Sequence, residues 1–315
     1  MTSSTGNRRL VIDTDTASDD AVALMMATHW PGVVVDAVTT VAGNVDIDQA
    51  TRNALFTLEI SESTAPVYKG AAQPLQRKAA PADWFHGEDG MGNMNYPVPT
   101  RQAEAEPAVD FLLRHFSSAP GAIDLVTLGP LTNIANAINA DDSFAKNVAH
   151  CYVMGGAACT NGTVTAAAEY NIWCDPEAAK IVFHSGMPIT MIGWELSCAD
   201  ATLNNAELKA IHALGTERAR VAVDCNRHAL KAVMEIQGES GLALADPVAM
   251  AVALDPDACK NRSSHYVDIA TAEELTRGMT VVDKLNVSGK AANVTVCWSL
   301  DSEHWKKMLV RCLTD

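Results

Sequence analysis

The residues that could do chemistry are concentrated in one stretch near the N-terminus. Asp13, Asp15, Asp19 and Asp20 follow a short apolar run and lead into the helix-forming run Ala21–Ala27. Alternation along a strand puts Asp13 and Asp15 on one side, and the dipole of a helix start favours negative charge at Asp19 and Asp20. Crowded carboxylates repel unless a proton or a cation relieves them. Hard oxygen ligands favour Ca²⁺ or Mg²⁺ over zinc. We therefore predict a metal or catalytic site here, although Asp19 alone could be only a helix cap.

Further apolar runs predict strands that would bring polar groups to the same place. Val33–Val41 leads to Gly43-Asn44, and Ile123–Leu128 ends at a Gly-Pro turn. Alternation of strands and helices predicts an α/β fold, with an open, mostly parallel sheet flanked by helices in a single domain over residues 1–315. Such sheets bind ligands at the carboxyl ends of their strands. The main-chain carbonyl of Leu128 would face that cleft, and Ca²⁺ commonly binds such oxygens.

The composition and net charge of the chain argue against several classes of protein. The chain has 315 residues, 48% of them hydrophobic, and a formal net charge of -15. This acidity argues against nucleic acid or an anionic membrane as the main partner. The eight cysteines form no C-x-x-C pair, which suits a reducing compartment and argues against structural zinc. The polar N-terminus does not predict a signal peptide, and no apolar run is long enough to span a bilayer, so we expect a cytoplasmic protein.

The segment Pro81–Pro99 is rich in glycine and aromatic residues and is expected to be irregular. Segments of this kind are often lids or binding loops. Trp84, Phe85 and His86 could close over a flat ligand such as a nucleobase, or they could simply pack a surface loop against the body.

Two other patterns carry structural expectations. Asp175-Pro176 is typical of a helix start, so Asp175 is interpreted as a structural cap. Near the end of the chain, the segments Thr280–Val287 and Ala292–Trp298 are predicted to be hairpin-like strands before a final helix.

Together these patterns resemble the inosine-uridine preferring nucleoside hydrolase family. The resemblance covers most of the chain, and although a lone D-x-D is weak, six motifs in this order are specific. The matching motifs are Asp13-x-Asp15-x-x-x-Asp19-Asp20, Gly43-Asn44, Leu128-Gly129-Pro130-Leu131-Thr132-Asn133, Val153-Met154-Gly155-Gly156, Glu169-Tyr170-Asn171-x-x-x-Asp175-Pro176 and Asp246-Pro247.

The resemblance implies a Rossmann-like nucleoside hydrolase fold and hydrolysis of the N-glycosidic bond of ribonucleosides to free base and ribose. It implies one Ca²⁺, which also binds a water and the ribose 2′- and 3′-hydroxyls, and it makes Asp15 the base that deprotonates that water. The implied metal ligands are Asp15, Asp20, the carbonyl of Leu128, and Asp246. The implied ribose-binding residues are Asp19, Asn44, Met154, Glu169 and Asn171.

Departures from the family pattern leave the preferred base open. Ala245 stands where members that prefer inosine and uridine often have a histidine, and Ala17 stands where the purine-specific branch has an asparagine. Thr163 follows Gly162 where the family often has Gly-Asn. The candidates for base stacking or for protonating the leaving base, each of which could instead be a packing residue, are Trp84, His86, Tyr170, Trp194 and His228.

Two other functions remain open from the sequence. A haloacid-dehalogenase-like phosphatase would use Asp13 as nucleophile and Thr127 as a second-strand hydroxyl, but no convincing downstream lysine with paired acids follows. A Ca²⁺-dependent nucleoside or ribose binder without turnover would fit Ala245. The resemblance further implies a small-molecule nucleoside as partner, a homo-oligomer (dimer or tetramer), and a role in nucleoside catabolism or in purine and pyrimidine salvage.

Overall fold

The central sheet is built around the strand that carries Asp13 and leads to Asp15. The computed structural model describes residues 7–237 and 241–314. The strands are β1 (Arg8–Thr14), β2 (Val33–Thr40), β3 (Val67–Lys69), β4 (Ile123–Thr127), β5 (Cys151–Met154), β6 (Ile189–Ile192), β7 (Cys259–His265), β8 (Val267–Ile269), β9 (Thr280–Val282) and β10 (Val294–Leu300). Eight of them form a sheet of order β3-β2-β1-β4-β5-β6-β10-β7, and β8 pairs with β9. Neighbours in the large sheet are parallel except β10 and β7.

Helices cover both faces of this sheet. They are α1 (Ser18–His29), α2 (Ile47–Ile60), α3 (Asp83–His86), α4 (Ala108–Ser118), α5 (Thr132–Ala140), α6 (Phe144–Asn147), α7 (Tyr170–Cys174), α8 (Pro176–Phe183), α9 (Asn205–His212), α10 (Glu217–Asp224), α11 (Arg227–Ala232), α12 (Ala245–Leu254) and α13 (Ser302–Thr314). Helices α1, α2, α12 and α13 bury one hydrophobic cluster, and α4, α5 and α8 bury a second one. The predicted single α/β domain with an open, mostly parallel sheet is confirmed.

The register of β1 with its neighbours brings polar side chains to one edge. The strand is buried from Leu10 onwards, as expected where helices cover both faces of a parallel sheet. Asp13 lies beside Thr39 of β2 and Thr127 of β4. The chain leaves these three strands at one level, so the residues that follow them meet at the carboxyl edge of the sheet.

The strands near the end of the chain pair differently from the prediction. The hairpin expected between Thr280–Val287 and Ala292–Trp298 is wrong, because β9 pairs with β8 while β10 pairs with β6 and β7. Both segments do contain strands. Their partners lie elsewhere in the chain, and local alternation carries no information about such partners.

Among the described residues, no helix is both long and apolar enough to cross a bilayer.

Candidate active site

Asp15 lies at the carboxyl edge of the sheet, just beyond β1. The side chain is fully buried. The backbone N–H of Asn44 donates to Oδ2 at 2.6 Å, and Oδ1 is buried without a hydrogen-bond partner in the described part of the chain. A Cβ at Gly43 or at Gly129 would collide with this carboxylate. Only glycine therefore fits at the two neighbouring strand exits, which explains both Gly-containing turns.

Asp20 is fixed by the turn that leads from β1 into α1. Its Oδ2 accepts the Ala17 N–H at 2.9 Å, and its Oδ1 accepts the Thr14 hydroxyl. Asp20 thus caps the first turn of α1, whereas the sequence analysis considered Asp19 as the possible helix cap. Asp19 is partly exposed and lines the pocket, and its Oδ1 has no hydrogen-bond partner within the structure as described.

Asp246 joins this pair from the far end of the chain. It lies in the first turn of α12, which packs against α1. Asp19, Asp20 and Asp246 each present a carboxylate oxygen, and these three atoms lie within 4.8 Å of one another. A group of this kind could hold a metal ion. Of the predicted ligands, the structure therefore brings Asp20 and Asp246 together and adds Asp19 to them.

The electrostatics of the cluster favour a bound cation. Burial, together with the neighbouring carboxylates, raises the pKa of Asp15 and of Asp246 well above the usual range of an aspartate. Burial and the charge of Asp19 raise the pKa of Asp20 to about 7. Each acid must therefore hold a proton or face a positive charge near neutral pH. The donor set contains only oxygen, which matches a hard cation.

Leu128, another predicted metal ligand, and the predicted ribose-binding residues line one pocket with Asp246, whereas Asp15 and Asp20 are not among the described residues that line it. Asn171 donates to the carbonyl of Leu128 at 2.7 Å and to Met154 Sδ at 3.2 Å. Glu169 is buried and accepts the N–H groups of Gly156 and Asn171, both at 2.8 Å. Burial raises the pKa of Glu169 to about 7. Asn44, Leu128, Met154, Glu169 and Asn171 all line this pocket.

Aromatic side chains line the same pocket. Trp84 is 50% exposed, whereas Tyr170 and Trp194 are fixed through their polar atoms. The Tyr170 hydroxyl donates to the Ala80 carbonyl at 2.8 Å, and Trp194 Nε1 donates to the Asn161 carbonyl at 2.8 Å. All three predicted stacking residues therefore lie at the pocket.

The two candidate histidines differ in position. His86 lines the pocket and is buried, with Nδ1 2.8 Å from Ser18 Oγ and 3.9 Å from Asp19 Oδ1. Burial lowers the pKa of His86, so the ring is neutral near pH 7. His228 lies on α11, which packs against α3, and is not among the described residues that line the pocket.

The segment Pro81–Pro99 is more ordered than predicted. It contains the helix α3 and is tied to the body by hydrogen bonds. Asn53 donates to the Asp89 carbonyl at 2.9 Å, and Arg227 Nε donates to the Gly92 carbonyl at 2.7 Å. The expectation of an irregular lid is therefore wrong for α3, and His86 belongs to a fixed wall.

Asp13 has a different environment from Asp15. It is fully buried, accepts hydrogen bonds from the Thr39 hydroxyl and from Asn133 Nδ2, and is not among the described residues that line the pocket. Burial raises the pKa of Asp13 to about 7. The side chains of Thr39 and Asn133 thus give Asp13 a structural role, in which it joins β1 to β2 and α5.

Several pocket residues were not predicted from the sequence. They come from turns and from the approach to α12, where no periodic pattern marks them. The unpredicted lining residues include Val164, Ser197, Cys198, Thr202, Val233, Gly241 and Ala243. Ser18 is not among the described residues that line the pocket, but it hydrogen-bonds His86 and could have been found because it lies inside the acidic signature.

Comparison with known proteins identifies the class. The family model described as inosine-uridine preferring nucleoside hydrolase matches residues 10–307. The pyrimidine-specific ribonucleoside hydrolase RihB of Escherichia coli O9:H4 is 34% identical over 307 residues, covering 97% of each chain. The chain belongs to the inosine-uridine preferring nucleoside hydrolase family. It is an N-glycosyl hydrolase, and the predicted family and enzyme class are confirmed.

Solved structures agree with this assignment. The plant nucleoside hydrolase PpNRh1 superposes with a TM-score of 0.92 at 31% identity, over 98% of this chain and 99% of that one. The purine-preferring ribonucleoside hydrolase from Gardnerella vaginalis gives a TM-score of 0.90 at 29% identity, with 98% of both chains covered.

Proposed function

We propose that this enzyme hydrolyses the N-glycosidic bond of ribonucleosides with the help of one bound Ca²⁺, giving free base and ribose. The observation that carries the proposal is the meeting of Asp19, Asp20 and Asp246 within 4.8 Å at the pocket. Asp15, with its unpartnered and buried Oδ1, lies close enough for the charge of Asp20 to raise its pKa. Hydrolysis needs acids both to hold the metal and to accept a proton from water, whereas a simple binder would need only the first of these.

The metal would be held by Asp15, Asp20, the carbonyl of Leu128, and Asp246. Carboxylates and main-chain carbonyls are the usual ligands of Ca²⁺. The support lies in the all-oxygen donor set, in the buried unpartnered oxygen of Asp15, and in carboxyl groups whose raised pKa values a cation would lower. When bound, Ca²⁺ would polarise a water and orient the ribose 2′- and 3′-hydroxyls.

Asp15 would act as the general base. Its Oδ2 is held by the Asn44 N–H at 2.6 Å, which leaves Oδ1 to take a proton from the attacking water. A carboxylate positioned in this way contributes about 10²- to 10⁴-fold to a hydrolysis. Neighbouring carboxylates would stabilise the positive charge that builds on the sugar as the bond breaks.

The ribose would be bound by Asp19, Asn44, Met154, Glu169 and Asn171. Glu169 and Asn171 are both buried and already fixed by hydrogen bonds to the backbone. A site of buried polar groups rejects an analogue that leaves them unpaired. We therefore expect 2′-deoxyribonucleosides to be poor substrates.

The leaving base would stack on Trp84, Tyr170 or Trp194 and receive a proton through His86. Ala245 offers no acid next to Asp246, whereas His86 lines the pocket and is oriented by Ser18. We assign no base contact to His228, because the described lining of the pocket does not include it.

We also propose a cytoplasmic homo-oligomer, a dimer or a tetramer, in nucleoside catabolism or salvage. The support is the resemblance to the family together with the cysteines, since six of them are buried in the described structure. Light scattering on the purified protein would give the oligomeric state, and a monomer would contradict this part of the proposal.

A panel of purine, pyrimidine and nicotinamide ribosides, incubated with Ca²⁺ and assayed for released reducing sugar, tests the function. We expect at least one to be cleaved and its 2′-deoxy analogue to be spared. If every riboside stays intact, the catalytic proposal fails. Tight binding without cleavage would favour a nucleoside binder, and release of phosphate from phosphomonoesters with Mg²⁺ would favour the phosphatase.

A further inference from the structure

One wall of the pocket has no role in the proposed reaction. Its Ser197–Thr202 segment runs through two 3₁₀ turns, Trp194–Ser197 and Ala199–Ala201, and both Ser197 and Thr202 line the pocket. Helix α13 holds this segment in place, because Trp305 Nε1 donates to the Ala201 carbonyl at 3.2 Å and Lys306 donates to the Thr202 carbonyl at 2.9 Å.

Backbone hydrogen bonds also join this segment to the residues that precede α12. The backbones of Leu203 and Leu242 exchange two N–H···O bonds of 2.9 Å. Gly241, Ala243 and Ala245 line the pocket next to this bridge and carry no polar side chain. The side-chain hydroxyls of Ser197 and Thr202 are therefore the polar groups that this wall offers to a ligand.

The hydrogen-bond donors of the segment are already used. Ser197 Oγ donates to the Trp194 carbonyl at 2.7 Å, and Thr202 Oγ1 donates to the Ser197 carbonyl at 3.4 Å. The backbone N–H groups of Cys198, Ala201 and Thr202 donate to carbonyls within the same turns. A hydroxyl group whose proton already forms a hydrogen bond can act toward a ligand only as a hydrogen-bond acceptor.

We propose that Ser197 and Thr202 select bases that carry an exocyclic amino group, so that cytidine is preferred to uridine and adenosine to inosine. This inference rests on the proposed nucleoside hydrolysis. An amino group offers N–H donors to these hydroxyl oxygens, whereas a carbonyl oxygen at the same place sets lone pairs against lone pairs. A binding site that pairs with a donor discriminates against the analogue that lacks it.

The test is kcat/KM for the two matched nucleoside pairs with wild type, S197A, T202V and the double variant. We expect the wild-type amino-over-oxo ratio to be about tenfold within each pair, as one hydrogen bond supports. In the double variant this ratio should fall to about one, because the variant loses both the acceptors for the amino groups of cytidine and adenosine and the lone pairs that oppose the carbonyl oxygens of uridine and inosine. S197A should have the larger single effect, because its hydroxyl is held by the shorter bond.

S185A is the matched control. Ser185 Oγ donates to the Val182 carbonyl at 2.7 Å, three residues back, as Ser197 does to Trp194, and it does not line the pocket. Its ratio should equal that of wild type. T202S keeps the hydroxyl and should restore most of the ratio that T202V loses, provided that both variants melt like wild type.

A wild-type ratio of one or below, or a double variant that keeps the wild-type ratio, would overturn the inference. If none of the four nucleosides is cleaved, the wider riboside panel decides whether the proposed function fails. Calorimetric binding of the same four nucleosides to the same variants then decides the role of the wall separately. Tighter binding of cytidine and adenosine that is lost in the double variant would uphold it. Equal binding of all four would refute it.

Discussion

The pocket has two parts that are built in contrasting ways. The acidic part is formed by Asp19, Leu128 and Asp246, which line the pocket, together with the buried Asp15 and Asp20. These residues come from strand ends and helix starts. The aromatic part, formed by Trp84, His86, Tyr170, Trp194 and the Ser197–Thr202 segment, comes from short helices and turns, and Trp84 is 50% exposed. The sheet fixes the first part, whereas side-chain hydrogen bonds, several of them to residues distant in sequence, fix the second.

We expect the acidic part to carry out the reaction and the aromatic part to determine which base is accepted. The relatives with high overall similarity carry names that differ in base preference, since RihB is called pyrimidine-specific and the Gardnerella protein purine-preferring. Both match this chain over nearly its whole length. Similar chains can therefore differ in the base named for them, and we expect changes in the acidic part of this chain to abolish turnover and changes in the aromatic part to redirect it.

The largest effect is expected from Asp15→Asn. Loss of the general base should lower kcat by about a thousandfold. The melting temperature should not fall, because the variant removes a buried carboxyl group whose ionisation is unfavourable. Steady-state kinetics and a thermal melt measure both.

Asp110→Asn is the control for that variant, since Asp110 is exposed on α4. It should leave both quantities unchanged. A rate for Asp15→Asn within about tenfold of wild type would remove Asp15 from the role of general base.

His86→Gln tests how the aromatic part assists the leaving base. The kcat for uridine should fall about a hundredfold, because the leaving base would lose the ring N–H of His86 through which it is protonated. Hydrolysis of p-nitrophenyl riboside should hardly change, because nitrophenolate leaves without a proton. The same measurements on His228→Gln should resemble wild type, and an equal loss on both substrates for His86→Gln would indicate a structural role.

Trp84→Ala should have a smaller effect. Loss of base stacking costs about 1–3 kcal/mol, so KM should rise about tenfold while kcat changes little. Trp298→Ala is a suitable control, because Trp298 lies on β10 and is not among the described residues that line the pocket. A change confined to kcat would contradict a stacking role.

The smallest effect is a pH-dependent stabilisation by Ca²⁺. The pKa of Asp20 is raised from its ordinary value to about 7, so the native state binds more protons than the unfolded state between those values. Stability without metal should therefore fall as pH rises through this window. Ca²⁺ replaces these protons, so it should raise the melting temperature by about 5 °C near pH 8 and by about half of that near pH 6.

Asp246→Asn should remove most of this Ca²⁺-dependent shift. An equal shift at both pH values in the wild type would show that the metal does not compete with protons at these carboxylates.

The acidic part could be predicted from the sequence because short-range patterns specify it. The apolar run predicted the strand that carries Asp13 and leads to Asp15, and the Asp-Pro pattern marked the start of α8, where Asp175 accepts the Ala178 N–H as a structural cap. Asp246 entered only through the family resemblance. No local pattern indicates that the start of α12 lies beside the start of α1.

The aromatic part and the pairing of the last strands were harder to predict from the sequence, for physical reasons. The burial of His86 depends on Asn53 and Arg227, which are distant in sequence and hold the surrounding segment against the body. The Ser197–Thr202 segment consists of 3₁₀ turns, which have no hydrophobic period to detect. The partner of β10 is set by the twist and edges of the finished sheet, so alternation alone suggested a hairpin that does not form.

Titration of the metal-free protein with Ca²⁺ in a calorimeter, together with activity after chelation, tests the central claim most directly. We predict a single Ca²⁺ site per chain in the wild type, its loss in Asp20→Asn and Asp246→Asn, and turnover that disappears with a chelator and returns with Ca²⁺. Full turnover in the chelated enzyme, with no Ca²⁺ bound by the wild type, would contradict the account.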